Sequence, residues 1–255
     1  MNLSFDNQIG SNYNSASQKI RVISESWLKK QGYCPSCGSN LLQYPNNKAS
    51  KDFYCNNCTE DFELKSKNSN FVNKITDGAY STMINSLRSS SRSNFFLLSY
   101  DKNTSSVKEL CIIPKHFFIP NIIEKRKPLA DNARRKGWVG CNILLTSIPH
   151  SGKIFYVRKS IIEDKSDVLK NWSKTLFLRD KSLEKSKGWL FDIMNCIDKI
   201  GIKDFTLNDV YRFENMLKEL HPENNFIKDK IRQQLQVLRD KGYLKFTNRG
   251  NYSII

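Results

Sequence analysis

Apolar residues recur every three or four positions near the start of the chain. Within residues 15–31 they include Ile20, Ile23 and Trp27, which would share one face of a helix. Gly32 follows directly and is a typical helix terminator. The pattern therefore predicts an amphipathic helix over 15–31.

After this helix the pattern changes to short runs with strand-like alternation, mixed with further helical segments. The predicted elements are strands at Asp52–Tyr54, Phe62–Lys65, Asn94–Tyr100, Val107–Pro114 and Ile154–Val157, and helices at Lys74–Arg88 and Val168–Leu178. The low-complexity run 86–94, SLRSSSRSN, is predicted to be a solvated turn whose two arginines need no special role. This mixture predicts an α/β (α+β) domain that ends near Lys181.

The remainder of the chain is dominated by helical periodicity and ends in an alternating segment. The predicted elements are a helix at Trp189–Ile200, the segment Phe205–Leu207 followed by a helix to about Leu220, a helix at Asn225–Lys241, and a hairpin around Asn248–Asn251. Three helices and a terminal two-stranded ribbon are typical of a winged helix-turn-helix. We therefore expect two domains, 1–181 and 182–255.

The third helix of this second domain has one apolar face and one polar face. Its buried stripe is predicted to be Ile227, Ile231, Leu235 and Leu238. Its outward positions are Lys228, Arg232, Gln233 and Gln236, and Arg and Gln are side chains that can read base edges in the major groove. Arg249 lies at the predicted wing tip. Residues 224–255 carry seven basic and two acidic side chains, which favours DNA as the partner, although many winged helices bind protein instead.

Composition points in the same direction. The 255 residues contain 41 Lys and Arg against 25 Asp and Glu, a formal net charge of +16. Such an excess favours a polyanion, most commonly nucleic acid, although a generally soluble basic protein has the same balance. No run of 18 apolar residues is present, and MNLSFDNQIGSN has no basic segment leading into an apolar one. We expect a cytoplasmic protein that neither spans a membrane nor is secreted.

Four of the seven cysteines form two Cys-x-x-Cys pairs separated by 17 residues. They are Cys34, Cys37, Cys55 and Cys58. This spacing is typical of a zinc ribbon and predicts structural Zn²⁺ at 34–58, in preference to free thiols. A catalytic zinc is disfavoured because four thiolates leave no open coordination position. The remaining three, Cys111, Cys141 and Cys196, lie among apolar residues and are predicted to be buried thiols.

A second pattern is interleaved with the zinc ribbon. Asp52 precedes the second cysteine pair and Glu63-Leu64-Lys65 follows it, so that strand alternation places Glu63 and Lys65 on one face. Asp52, Glu63 and the Leu64 carbonyl can supply oxygen ligands for Mg²⁺, with Asp61 as a possible substitute. Such a cation would assist hydrolysis of a phosphodiester. The alternative is an ordinary charged surface.

The role predicted for Lys65 is to orient or help deprotonate the attacking water and to stabilise charge on the phosphate. Burial near a metal and other cations can also lower the pKa of its ammonium group.

Residues 115–140 form a basic segment with seven Lys or Arg and two acidic residues. A segment of this kind, which includes Arg126, Arg134, Arg135 and Trp138, is suited to a loop that faces DNA. The equally weighted alternative is a solvated connector with Trp138 packed in the core.

The Asp52…Glu63-Leu64-Lys65 pattern resembles the PD-(D/E)xK nuclease superfamily. More closely, the chain is similar to the DpnI family of methyl-directed type II restriction endonucleases. The segments that carry the resemblance are CPSCG, DFYCNNC, FELKSK, DGAYSTM, RKPLADNARRKGWVGCNI, MNCIDKI and KDKIRQQLQVLRDKGYLKF, which are spread over nearly the whole length. One departure is Lys51, which stands where the superfamily name has proline.

The resemblance implies a restriction-endonuclease-like core with an inserted zinc ribbon, followed by a winged helix. It implies Mg²⁺-dependent cleavage of double-stranded DNA at GATC sites that contain N6-methyladenine, with both domains reading the site. Asp52, Glu63 and Lys65 would take the catalytic positions and the four cysteines the zinc positions. The segment around Trp138 would read bases, and an aromatic surface there could enclose the methyl group for ~1 kcal/mol.

Two rival functions stay open from the residues. One is a non-catalytic zinc and winged-helix DNA-binding regulator, which would not need the three catalytic residues on one hairpin. The other is a related nuclease without methyl dependence. The sequence has no evident dimerisation element, so a monomer is expected in solution, while the number of copies acting on one site is left open.

Overall fold

The computed structural model describes residues 1–45, 51–89 and 92–255. These residues form two compact units. The first contains residues 1–146 and 151–173, and the second contains 147–150 and 174–255. Within the described residues no helix is both long and apolar enough to cross a membrane.

The first unit is built mainly of strands. Its elements are α1 (Ala16–Gln31), β1 (Leu42–Gln43), β2 (Phe53–Tyr54), β3 (Asp61–Lys67), β4 (Lys74–Ala79), α2 (Tyr80–Arg88), β5 (Asn94–Asp101), β6 (Ser106–Ile113), β7 (Ile123–Lys125), β8 (Gly140–Leu144), β9 (Ile154–Arg158), β10 (Ile161–Ile162) and α3 (Lys165–Ser173). The second unit has α4 (Lys187–Ile200), β11 (Asp204–Thr206), α5 (Leu207–Tyr211), α6 (Glu214–Leu220), α7 (Ile227–Asp240), β12 (Leu244–Asn248) and β13 (Asn251–Ile254). Short 3-10 helices connect several of them.

A seven-stranded sheet forms the centre of the first unit, in the order β1-β2-β3-β5-β6-β9-β10. Its neighbours pair antiparallel except β3 and β5, which are parallel, with Glu63 opposite Phe95 and Lys65 opposite Leu97. Trp27 of α1 belongs to the same buried cluster as sheet residues such as Phe96. The strand β3, which carries the Glu-x-Lys motif, is therefore held between β2 and β5 within the sheet.

A smaller sheet in the same unit has the order β4-β8-β7. The helix predicted at Lys74–Arg88 is wrong in its first part. Residues 74–79 form the strand β4, and the helix α2 begins only at Tyr80. Residues 74–79 alternate in burial, and Ile75 is buried opposite Ile143 of β8. A β-branched residue that is buried against a neighbouring strand favours the sheet, so tertiary pairing overrides the helical pattern here.

Two other predicted elements also differ. The helix expected at Val168–Leu178 is α3, which ends at Ser173, and a 3-10 helix follows at Leu176–Arg179. Arg92, expected in a solvated turn, is buried. Asn94 at the end of the same run is also buried, where its side-chain amide donates to the Asp61 carbonyl oxygen and to Glu60.

The second unit has the winged-helix pattern with one additional strand. The predicted middle helix is divided into α5 and α6, and β11 joins the terminal hairpin in the order β11-β13-β12. Thr206 ends β11 and caps α5, since its hydroxyl accepts from the Asp209 amide and the Asp209 carboxylate accepts from the Thr206 amide. The capping pair explains why the extended run turns into a helix at this residue.

Candidate active site and metal centre

The four cysteines of the two Cys-x-x-Cys pairs meet at one point. All four sulfur atoms lie within 4.8 Å of one another. Cys34 Sγ is 3.4 Å from Cys58 Sγ, and Cys37 Sγ is 3.4 Å from Cys55 Sγ. None of these thiols is in a disulfide. The spacing along the sequence thus corresponds to a cluster in space.

Each cysteine pair lies in a similar tight turn. The amide of Gly38 donates to the Cys34 carbonyl, and the amide of Thr59 donates to the Cys55 carbonyl. Both Gly38 and Thr59 have a left-handed backbone, with φ of 75° and 59°. Glycine adopts this conformation readily, whereas a β-branched residue does so only at an energetic cost.

The cluster fits a tetrahedral zinc ion. A Zn–S distance of about 2.3 Å implies sulfur atoms about 3.8 Å apart, close to the separations seen here. Burial raises the pKa of Cys34 and of Cys58, whereas at Cys37 hydrogen bonds with Ser39 and Asn57 outweigh burial and lower the pKa to about 6. A thiolate is the form that binds the metal. Four sulfur ligands close the coordination sphere, which is the arrangement of a structural site.

The three predicted catalytic residues lie together on the β2–β3 hairpin. The Asp52 carboxylate accepts a hydrogen bond from the Leu64 amide at 2.8 Å, so it faces the Glu-x-Lys strand. Lys65 Nζ lies 2.5 Å from Glu63 Oε1. Cys55 and Cys58 occupy the turn between the two strands. The hairpin therefore joins the cysteine cluster directly to these charged side chains.

Asp77 is a further member of this cluster that the sequence analysis did not identify. Its carboxylate accepts from Lys65 Nζ at 2.8 Å, so the ammonium group lies between Glu63 and Asp77. Asp77 is on β4, the segment that was predicted to be helical. The alternation of Lys74–Ala79, with Ile75 inward, is the signal that could have revealed it.

The charges of this cluster interact strongly. Burial raises the pKa of Glu63, and Asp77 and Asp52 raise it further, while Lys65 opposes them. Burial lowers the pKa of Lys65, but the carboxylates of Glu63 and Asp77 outweigh this effect and raise it above its usual value. The pKa lowering predicted for Lys65 beside a bound metal stays a prediction, because in this arrangement the two carboxylates dominate. Lys65 is a cation held by two carboxylates.

The donor set fits a hard divalent cation. Carboxylate oxygens are the ligands that Mg²⁺ prefers, and Asp52 and Asp77 are near enough to raise the pKa of Glu63. In the described residues the ligand atoms of these three side chains do not all lie within 4.8 Å of one another. Mutual repulsion of buried carboxylates is relieved when a cation binds among them. Asp61, the predicted substitute ligand, is engaged elsewhere, because its carboxylate accepts from Tyr44 Oη at 2.6 Å and from Lys51 Nζ.

A cleft of about 250 Å³ extends from this cluster. It is lined by Lys51, Glu63, Asp77, Gly78, Ala79, Thr82, Met83, Ser86, Arg92, Ser93 and Phe95. Two of the acidic side chains thus face a space large enough for a small group such as a phosphate.

The basic segment is exposed on the smaller sheet. Arg126, Arg134 and Arg135 are exposed, whereas Trp138 is half-buried. The Arg135 guanidinium lies 4.6 Å from the centre of the Trp138 ring. A Cβ atom at Gly140 would lie 2.8 Å from the indole, so the ring packs against bare backbone. The Trp138 ring is therefore not part of the buried core, but it is packed against the surface of the protein.

In the second unit, the residues that were predicted to contact DNA point outward. Lys228, Arg232, Gln233, Gln236 and Arg249 are all exposed, and the four stripe residues are buried. A groove of about 440 Å³ is lined by Arg232, Gln236 and Arg249 together with 206–208 and 250–252. The recognition helix α7, the start of α5 and the wing thus share one basic groove.

Comparison with known protein families gives two matches that together cover nearly the whole chain. A family model described as DpnI, the Dam-replacing family, matches residues 1–181. A second model, described as the Dam-replacing HTH domain, matches residues 185–253.

Proposed function

The chain belongs to the Dam-replacing (DpnI) family, and on this premise we propose that it is a methyl-directed type II restriction endonuclease. It would cleave both strands of DNA at GATC sites that contain N6-methyladenine, with Mg²⁺ as cofactor. We place the nuclease domain at 1–181 and the winged-helix domain at 182–255. Family membership supports the proposed substrate and its methyl group.

The observation that carries the nuclease assignment is the joint position of Asp52, Glu63 and Lys65 on one hairpin. A DNA-binding regulator has no need for an Asp52 carboxylate that is hydrogen-bonded to the backbone of the Glu-x-Lys strand beside a lysine paired with Glu63. A divalent cation held by Asp52, Glu63 and the Leu64 carbonyl would neutralise charge on the scissile phosphate and lower the pKa of an attacking water.

The side chains of the hairpin have separate tasks in this proposal. Lys65 would donate to the phosphate or to the attacking water, because Glu63 and Asp77 hold its ammonium group beside the site. Asp77 and Glu63 hold the ammonium group in place until DNA arrives. Asp52 is oriented by the Leu64 amide.

The four cysteines would hold Zn²⁺ for a structural purpose. Because Cys55 is three residues after Asp52 and Cys58 five residues before Glu63, a bound zinc ion fixes the turn that connects the catalytic strands. The zinc site would therefore support catalysis through the geometry of the hairpin and take no part in the chemistry.

DNA recognition would be divided between the two domains. Arg232, Gln233 and Gln236 are placed for base edges, and Lys228 and Arg249 for phosphates. Arg126, Arg134, Arg135 and Trp138 would form the DNA-facing surface of the nuclease domain. If both domains contact the methyl group, their preferences for methylated over unmethylated DNA multiply. Each buried methyl group contributes about 1 kcal/mol to that preference.

The test is digestion of one plasmid prepared from adenine-methylating and from non-methylating hosts, with Mg²⁺ present and Asp52→Asn as the control. Cleavage of the methylated plasmid alone, lost in the variant, is the expected result. Cleavage of both plasmids would contradict the methyl dependence and leave a related nuclease. Retained DNA binding without cleavage of either would favour the regulator.

A further inference from the structure

Arg92 is a buried cation next to the catalytic cluster. It is 8 % exposed and lies just before β5. Its guanidinium carbon is 4.0 Å from the centre of the Phe118 ring and 5.6 Å from that of Phe95. Its Nη2 atom contacts Met83 Sδ at 2.9 Å. These contacts fix the plane of the guanidinium group.

The same side chain lacks hydrogen-bond acceptors. Within the described part of the chain, the buried Nε and Nη1 atoms of Arg92 have no hydrogen-bond partner. Burial lowers the pKa of Arg92 to about 10, while Asp77 and Glu63 act in the opposite direction, so the group is charged at neutral pH. Aromatic rings attract a cation but accept no N–H hydrogen bond of ordinary strength. A charged group with unsatisfied donors is costly to bury.

Arg92 also lines the cleft of about 250 Å³ into which Glu63 and Asp77 face. The rest of the lining consists largely of small and hydroxyl-bearing residues, among them Gly78, Ala79, Thr82, Ser86 and Ser93. Such a lining leaves room for an oxyanion. The cleft thus brings together acidic groups that suit a cation and a fixed guanidinium that suits an anion.

The balance of charge around the cleft also favours an anionic ligand once a cation is bound. Asp52, Glu63, Asp77 and Glu25 are opposed by Lys65, Arg92 and Arg21, which leaves one uncompensated negative charge. Arg21 is paired with Glu25 and also lies 3.7 Å from Asp52, while Lys51 is paired with Asp61. A bound divalent cation would reverse the sign of the group, and one phosphodiester anion would then neutralise it.

We propose that the Arg92 guanidinium binds a non-bridging oxygen of a backbone phosphate in the DNA strand that is cleaved. This inference rests on the proposed nuclease function. The planar fork of arginine suits phosphate oxygens, which accept two parallel hydrogen bonds. Phe118 and Phe95 hold that fork in place before DNA binds, so little order is lost on binding.

The first experiment compares Arg92→Met with Arg158→Met in the full-length, zinc-loaded protein. Arg158 is a matched control, because its guanidinium also stacks on a ring, 4.1 Å from the centre of Phe155, but it is exposed. Binding to a methylated GATC duplex is measured in Ca²⁺, chosen to support binding without turnover, over a series of salt concentrations. Thermal melting of each variant accompanies the titrations.

We expect Arg92→Met to weaken binding by about tenfold, as for a lost hydrogen bond to a charged group. The slope of log K against log salt should decrease in magnitude by about 0.9, which is the contribution of one phosphate. Arg158→Met should change neither. An unchanged slope in Arg92→Met would overturn the proposal, because a side chain that only supports the fold does not alter the number of phosphates contacted.

A second measurement locates the contact. Duplexes with a single neutral methylphosphonate at each successive backbone position are bound to the wild type and to Arg92→Met. At one position the methylphosphonate should weaken wild-type binding and have no further effect in the variant. Purely additive effects at every position would also overturn the proposal. If Arg92→Met does not fold, Arg92→Gln replaces it, since it removes the charge but keeps a polar side chain of similar length, and the same two readouts apply.

Cleavage of methylated and unmethylated plasmid by the wild type separates this inference from the function on which it rests. If the wild type cleaves but Arg92→Met retains the full salt slope and cleavage rate, the phosphate contact is wrong and the nuclease assignment stands. If the wild type cleaves neither plasmid, the nuclease assignment is wrong, and the binding measurements in Ca²⁺ still decide whether Arg92 contacts a phosphate.

Discussion

The two candidate metal centres share one hairpin but are constructed differently. The sulfur cluster draws all its ligands from residues 34–58, and two similar turns present them. The carboxylate cluster takes Asp52 and Glu63 from the hairpin but Asp77 from another sheet. Within the described residues, the cysteines are the one group of three or more potential ligand residues whose ligand atoms all lie within 4.8 Å.

This difference corresponds to two different tasks. The sulfur cluster is closed and local, as suits a metal that stays bound and stabilises the fold. In the carboxylate cluster a lysine ammonium group lies between two acidic side chains, and a cleft leads to it. An open site of this kind can admit a cation and a substrate and can release both.

The largest expected effect is loss of activity when the open site is changed. Asp52→Asn keeps an oxygen that can accept from the Leu64 amide but removes the charge, so cleavage should fall at least about 10³-fold. Zinc content and thermal melting should stay as in the wild type. Asp61→Asn is the matched control, because Asp61 is engaged by Tyr44 and Lys51. An equal loss in Asp61→Asn would mean that Asp61 is a ligand after all.

The next effect is on stability and concerns the closed site. Cys55→Ser should release zinc and lower the free energy of unfolding of the nuclease domain by about 4 kcal/mol, as expected for loss of a structural metal. Metal analysis and thermal melting measure both quantities. Cys111→Ala should keep the zinc, since this buried thiol lies outside the cluster. A Cys55→Ser protein with normal zinc and melting would show that the cysteines are not a metal site.

A smaller effect is expected at Asp77, which connects the hairpin to the second sheet. Asp77→Asn removes one charged partner of Lys65 and should reduce the single-turnover cleavage rate by about 10- to 100-fold, with DNA binding little changed. Thr76→Ala on the same strand is the control, because neighbouring strand residues point to opposite faces. If the rate is unchanged in Asp77→Asn, Glu63 alone positions the lysine.

The smallest effect distinguishes the two cysteine turns. Thr59→Gly should relieve the left-handed strain at φ of 59° and raise the free energy of unfolding by about 0.5–1 kcal/mol. Gly38→Ala should lower it, because the same conformation is then forced on a residue with a Cβ atom. Denaturant unfolding of both variants provides the measurement. A destabilised Thr59→Gly would mean that the threonine side chain contributes more than its backbone costs.

The contrast between the centres also explains which parts could be predicted from sequence. These parts depend on short-range spacing: the four cysteines lie together, Asp52 accepts from the Glu-x-Lys strand, and the predicted stripe of α7 is buried. Asp77 was missed because its strand is defined by pairing with β8, more than 60 residues away in sequence. Arg92 was missed because serine-rich neighbours suggested a solvated turn, and only tertiary packing against Phe118 shows that it is buried.

The parallel pairing of β3 with β5 has a consequence for the order in which parts of the protein fold during synthesis. Residues 34–67, with the cysteines and the catalytic hairpin, are synthesised before β5 begins at Asn94. A zinc ion that joins two nearby turns can close this hairpin through short loops, whereas the parallel pair must wait for the later strand. We therefore expect the supply of zinc during translation to set the fraction of chains that reach the native fold.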